Sequence, residues 1–147
     1  MKLTTNFTLE ELYASPTAQR RHIDNTPTTV VQQNLKMLAE KVLQPIRDTY
    51  GYPIIVNSGY RCAELNKAVG GVRNSQHLTG CAADIRCTKT SKAYLFRVIA
   101  KMVKEGKIEV GQLIWEYGTS DEPSWIHVSL PMATKKNQIL YLYNTQK

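Results

Sequence analysis

The kind of hydrophobic periodicity changes along this chain, and the order of the change limits its fold more than any single residue does. Val31, Leu35, Leu38 and Val42 recur at helical spacing up to about Tyr50. Leu95, Ile99, Met102 and Val103 do so again between Ser91 and Glu105, with Gly106 as the stop. Only short runs suited to strands follow: Gln112 to Glu116, Trp125 to Leu130 and Ile139 to Tyr143. One earlier run, Ile54-Ile55-Val56, also reads as a strand. Helices early and strands late predict an α+β domain, a small antiparallel sheet with packed helices, rather than a doubly wound parallel sheet.

Local signals punctuate this pattern. Thr8 caps a short first helix, Glu11 returns the bond, and Phe7 packs on Leu12 as a hydrophobic staple. Asp24-Asn25-Thr26-Pro27 breaks the chain, and Gly51-Tyr52-Pro53 turns it. Pro45 falls inside the long helical pattern and is predicted to kink or shorten it. With 147 residues and 42% hydrophobic content, the expectation is one domain over residues 1–147 with a sizeable core. No apolar stretch approaches the roughly 20 residues of a membrane span, so no membrane insertion is expected. Met1 to Glu11 also lacks the apolar centre of a secretory signal, which predicts synthesis in the cytoplasm without one.

A net charge of +7 and a pI near 9.4 favour anionic partners. The basic residues are scattered, with Arg20-Arg21 and Lys135-Lys136 as the only pairs, so no nucleic-acid partner is expected. Three cysteines, Cys62, Cys81 and Cys87, lack C-x-x-C spacing and argue against a disulfide framework or a four-thiolate metal site. Three reduced thiols and a Cys62–Cys81 bridge are both open readings.

Chemistry concentrates where the composition turns small, polar and glycine-rich, from Asn57 to Asp84, as expected for site-bearing loops. Of the histidines at 22, 77 and 127, His77 heads the segment that ends in Asp84, and His127 sits in the apolar run Trp125-Ile126-His127-Val128. Two imidazole nitrogens and one carboxylate oxygen are a donor set that Zn2+ accepts, with a fourth position left for water. The alternative is a hydrogen-bonded core histidine and a loop-capping aspartate.

The segment Ser75-Gln76-His77-Leu78-Thr79-Gly80-Cys81-Ala82-Ala83-Asp84 resembles, position by position, the S-x-H-x-x-G-x-A-x-D signature of the D-Ala-D-Ala carboxypeptidase family of zinc enzymes. That family includes carboxypeptidases and endopeptidases of the bacterial cell wall. Ser58-Gly59-Tyr60-Arg61 is similar to its S-G-Y-R element, and Trp125-Ile126-His127 to its final W-x-H element. The order and separation resemble the compact branch common in phage and prophage genes, over roughly Phe7 to Leu130. The resemblance implies the D-Ala-D-Ala peptidase fold, shared with the hedgehog signalling domain. It implies His77, Asp84 and His127 as zinc ligands, and Arg61 as a clamp on a substrate carboxylate. It also implies Ser75 and Gln76 as substrate-binding residues, with a locally turn-forming Ser75 as the alternative. Gly80 and Ala82 are expected to matter only as space beside the ligands.

One position departs from the pattern. Many relatives carry their catalytic carboxylate three residues before the last histidine, where this chain has Ser124. Glu116, on a strand able to pair with Trp125 to Leu130, is the expected general base, with Asp121 and Glu122 as the other candidates. The implied function is zinc-dependent hydrolysis of peptide bonds in peptidoglycan stem peptides or cross-links, by a monomer that reaches the wall after phage-type release. The alternative is a non-catalytic, zinc-containing binding module on the same fold.

Overall fold

A computed structural model describes residues 1–143. Helix α1, Leu9–Tyr13, begins with the expected capping box, in which Glu11 N–H donates to Thr8 Oγ1 and Thr8 N–H to the Glu11 carboxylate. Phe7 and Leu12 are both fully buried in the main core. A second short helix, α2 (Pro16–Arg21), was not foreseen, although Ser15 as its cap and Pro16 in its first turn are a legible start.

The long helical pattern is three segments: α3 (Thr29–Leu38), one π-helical turn (Ala39–Leu43) and α4 (Gln44–Tyr50). Pro45 therefore does not shorten the helical run, which continues to Tyr50. An α-helical proline ring presses on the carbonyl four residues back. Here the turn just before it widens, with Gln44 N–H bonding to Ala39 O. One apolar face survives throughout, and Leu35, Leu38, Val42, Leu43 and Ile46 are all fully buried. Gly51 closes α4 at φ +86°, the left-handed conformation glycine adopts without strain.

The segment from Asn57 to Asp84 is less loop-like than its composition implies. It contains β1 (Ile55–Ser58) up to its end, a short helix α5 (Ala63–Ala68), a 3-10 turn (Gln76–Thr79) and the start of β2 (Ala82–Arg86). Asp84 thus lies on a central strand, paired with Ser58 on one side and His127 on the other. Helix α6, Lys92–Lys104, follows the expected pattern with Ser91 as its cap. The expected late strands are β3 (Gln112–Glu116), β4 (Trp125–Ser129) and β5 (Gln138–Leu142).

The sheet runs β1-β2-β4-β3-β5. The first four strands are antiparallel neighbours, and β5 joins the edge parallel to β3. Residues on a strand point alternately to opposite faces. Ala83, Ile85, Leu113, Trp115, Ile126 and Val128 face the core they share with Leu95, Phe96 and Ile99 of α6. The intervening residues Asp84, Ile114, Glu116 and His127 therefore share the other face. Register aligns Ser58 with Asp84, Asp84 with His127, and His127 with Ile114 across four strands.

All three cysteines are free thiols, so the Cys62–Cys81 bridge does not form. Cys62 instead caps α5, its Sγ accepting from Leu65 N–H. No helix among the described residues is long and apolar enough to cross a membrane.

Candidate metal centre

Three elements bring the three expected ligands together. β2 supplies Asp84, β4 supplies His127 directly opposite it, and the 3-10 turn places His77 over both. Asp84 Oδ1 lies 3.4 Å from His77 Nε2 and 3.2 Å from His127 Nδ1. One donor atom from each residue falls within 4.8 Å of the other two, and all three residues are buried. Two imidazole nitrogens and a carboxylate, converging in a buried pocket from two strands and a turn, fit a zinc ion better than they fit a core hydrogen-bond cluster.

The ligands are held from behind. His77 Nδ1 lies 2.7 Å from the Gly59 carbonyl, which accepts its proton and leaves Nε2 free toward Asp84. Arg61 N–H donates to the His77 carbonyl at 3.0 Å, a second tie between the Ser58–Arg61 segment and the histidine turn. Ser75 Oγ accepts from His77 N–H at 3.1 Å, so the turn-forming role is present, and among the described residues its hydroxyl proton has no acceptor. Gln76 is buried and donates Nε2 to the Leu130 carbonyl at 3.1 Å, fastening the turn to the end of β4.

Burial alone would raise the Asp84 carboxyl. The hydrogen bonds and electrostatic attraction of His127 and His77 outweigh it and hold the group well below the ordinary carboxylate range. It is therefore ionised, as a ligand must be.

The triad floors a cleft of about 430 Å³. Glu116 lines the cleft at the next site-facing position along β3, paired with Trp125. Burial raises its carboxyl above the ordinary value, His127 pulls it back, and Asp84 raises it further. Arg61 also lines the cleft, its Nε donating to Asn66 Oδ1 at 3.1 Å and its Nη1 to Ser58 Oγ at 3.4 Å. No carboxylate is ion-paired with Arg61 among the described residues.

The two other candidate bases lie elsewhere. Glu122 accepts backbone N–H groups of Lys92 and Ala93 at 2.8 and 3.0 Å and pairs with Lys92 Nζ, so it caps α6 instead of being merely solvated. Asp121 is exposed, and neither residue lines the cleft. His22 ends α2 in the left-handed conformation, exposed and far along the chain from the triad.

Gly80 has a role that sequence reasoning missed. Its φ is +77°, and an added Cβ would come within 2.9 Å of Val31 Cγ1. It seats the histidine turn on α3 rather than clearing space for the ligands. Asn25 lies in the segment whose composition marks a chain break. It is buried, donating to Tyr13 O and Tyr60 O and accepting from Cys62 N–H. A buried asparagine in a polar loop carries no periodic signal that would have revealed this.

A family model for Peptidase M15 matches residues 5–129, a span that holds Arg61, His77, Asp84, Glu116 and His127. No curated protein matches the chain.

Proposed function

The chain belongs to the peptidase M15 family, and from that premise we propose that it is a zinc-dependent hydrolase of peptide bonds in bacterial peptidoglycan. The observation that carries the reading is the convergence of His77, Asp84 and His127 at the floor of a cleft that also holds Glu116 and Arg61. When bound, zinc would polarise a peptide carbonyl and acidify a water toward neutrality.

The chain's own residues supply the rest. Glu116 takes the proton of the attacking water and delivers it to the departing amine nitrogen, a role suited to a carboxyl whose burial lifts its pKa. Arg61 offers a planar, charged fork to a substrate carboxylate. Ser75, through its hydroxyl proton, and Gln76 border the bound peptide. The binding-module alternative drew on Ser124 standing where relatives carry a carboxylate. Glu116 in the cleft, one strand across, supports catalysis instead. The net charge of +7 supports action on an anionic wall polymer.

The experiment is digestion of purified peptidoglycan with mass-spectrometric identification of the released fragments, alongside metal analysis. Zinc occupancy near one per chain and a defined cleaved bond are expected. His77→Ala, Asp84→Ala and His127→Ala should each lower zinc content. Glu116→Gln should keep zinc and lose about 10²- to 10⁴-fold in hydrolysis. Near-normal hydrolysis by Glu116→Gln would remove it as the base, and full zinc retention in all three ligand variants would sink the reading.

A further inference from the structure

Arg61 is a half-buried guanidinium without a carboxylate partner among the described residues, and such a group does not aim itself. A long side chain with several rotatable bonds settles on the nearest acceptor unless something holds it. What holds it is Asn66, on the inner side of α5 and only 4% exposed. Asn66 Oδ1 accepts from Arg61 Nε at 3.1 Å, and Asn66 Nδ2 donates to the Val72 carbonyl at 2.9 Å. Both partners fix the amide orientation, because a guanidinium can only donate and a carbonyl can only accept.

The backbone of the turn that follows α5 closes over this pair. Gly71 N–H bonds to Asn66 O at 2.9 Å. A Cβ at Gly71 would fall 2.0 Å from Asn66 Oδ1 and 3.2 Å from Arg61 Nη2. The turn Val69–Val72, itself a wall of the cleft, is thus seated on the same amide that holds the arginine. With Nε on Asn66 and Nη1 on Ser58, Nη2 has no protein acceptor among the described residues.

We propose that Asn66 is the positioning residue of a carboxylate-binding subsite, joining the Arg61 guanidinium to the Val69–Val72 turn so that its remaining donors face the cleft. The proposal rests on the reading of Arg61 as a substrate-carboxylate clamp. Asn66 touches no substrate. It sets the direction of the group that does, and Gly71 is the only residue type that lets the turn close over it.

The test compares two peptides, a stem-peptide fragment with a free terminal carboxylate and the same fragment as its carboxamide. Asn66→Asp keeps the size and the acceptor, loses the donor to Val72, and adds a carboxylate that pairs with Arg61. It is expected to raise KM for the carboxylate peptide about 10- to 100-fold, the value of a charge-assisted hydrogen bond. Turnover number, zinc content and KM for the carboxamide should stay near wild type. Gly71→Ala, which pushes on the same amide from the turn, should reproduce the pattern and serves if both Asn66→Asp and Asn66→Ala fail to fold. Wild-type discrimination retained by Asn66→Asp or, where the Asn66 variants do not fold, by Gly71→Ala would overturn the role of Asn66 while leaving Arg61 in place. A wild-type enzyme that does not prefer the carboxylate, together with a neutral Arg61→Lys, would overturn the clamp and the positioning role together.

Discussion

Gly59 shows how one residue can decide whether the metal ligands are presented. A Cβ there would lie 2.2 Å from the Leu12 carbonyl oxygen, at the end of α1, and backbone cannot swing aside as a side chain does. Tyr60 N–H reaches the same oxygen at 2.8 Å, and the Gly59 carbonyl fixes His77 Nδ1. Glycine is needed here for close approach between two backbone segments. Gly59→Ala is therefore expected to cost about 1–3 kcal/mol, the range for an overpacked interior, and to lower zinc affinity as well. Denaturant titration and metal analysis on one preparation check both, and a variant that is destabilised but binds zinc normally would separate packing from presentation.

The second-half elements meet through a side chain that sequence reasoning weighed for another role. Glu122 sits in the loop between β3 and β4, yet its carboxylate accepts the first free N–H groups of α6. Burial pushes its carboxyl up, but the bonds from Lys92 and Ala93 and the nearby Lys92 charge hold it below the ordinary value. Because the folded pKa is depressed, the stabilisation is present above the unfolded value of about 4.3 and is lost as pH falls through the folded one. Glu122→Gln should lower stability by about 0.3–1 kcal/mol at neutral pH, and the difference should vanish in acid. Thermal melts at pH 7 and pH 3 check it, and an equal loss at both would show that charge is not what caps α6. The residue was misread because its partner lies some thirty positions away, whereas a capping signal is legible only when it adjoins its helix, as Ser91 and Thr8 do.

At the scale of the molecule, what was legible followed from period and from motif. The helical stripes of α3, α4 and α6 could be read because each buries one apolar face, and the strands β1, β3, β4 and β5 because each carries a run rich in large apolar, β-branched or aromatic residues. The pairing of β3 with β4, and with it the place of Glu116, followed from adjacent strands. β2 escaped because Ala82-Ala83-Asp84-Ile85-Arg86 holds a single β-branched residue and no aromatic, so its composition does not mark it as a strand. The parallel course of β5 was hidden as well, since nothing local in Gln138 to Leu142 records the direction of its neighbour.

The sheet divides the protein into a dry side that carries α6 and an opposite side that carries the cleft. A saturating mutational scan should feel that division as a rhythm. Along β3, substitutions at Leu113 and Trp115 should reduce the yield of soluble protein, while those at Glu116 should leave yield intact and abolish hydrolysis. Along β4, Ile126 and Val128 should behave like the first group and His127 like the second. Abundance and activity, scored separately in one library, should therefore oscillate out of step with a period of two residues. The beat should be lost at Ser129, which lies on the cleft-facing register but is fully buried and accepts the Gln112 N–H.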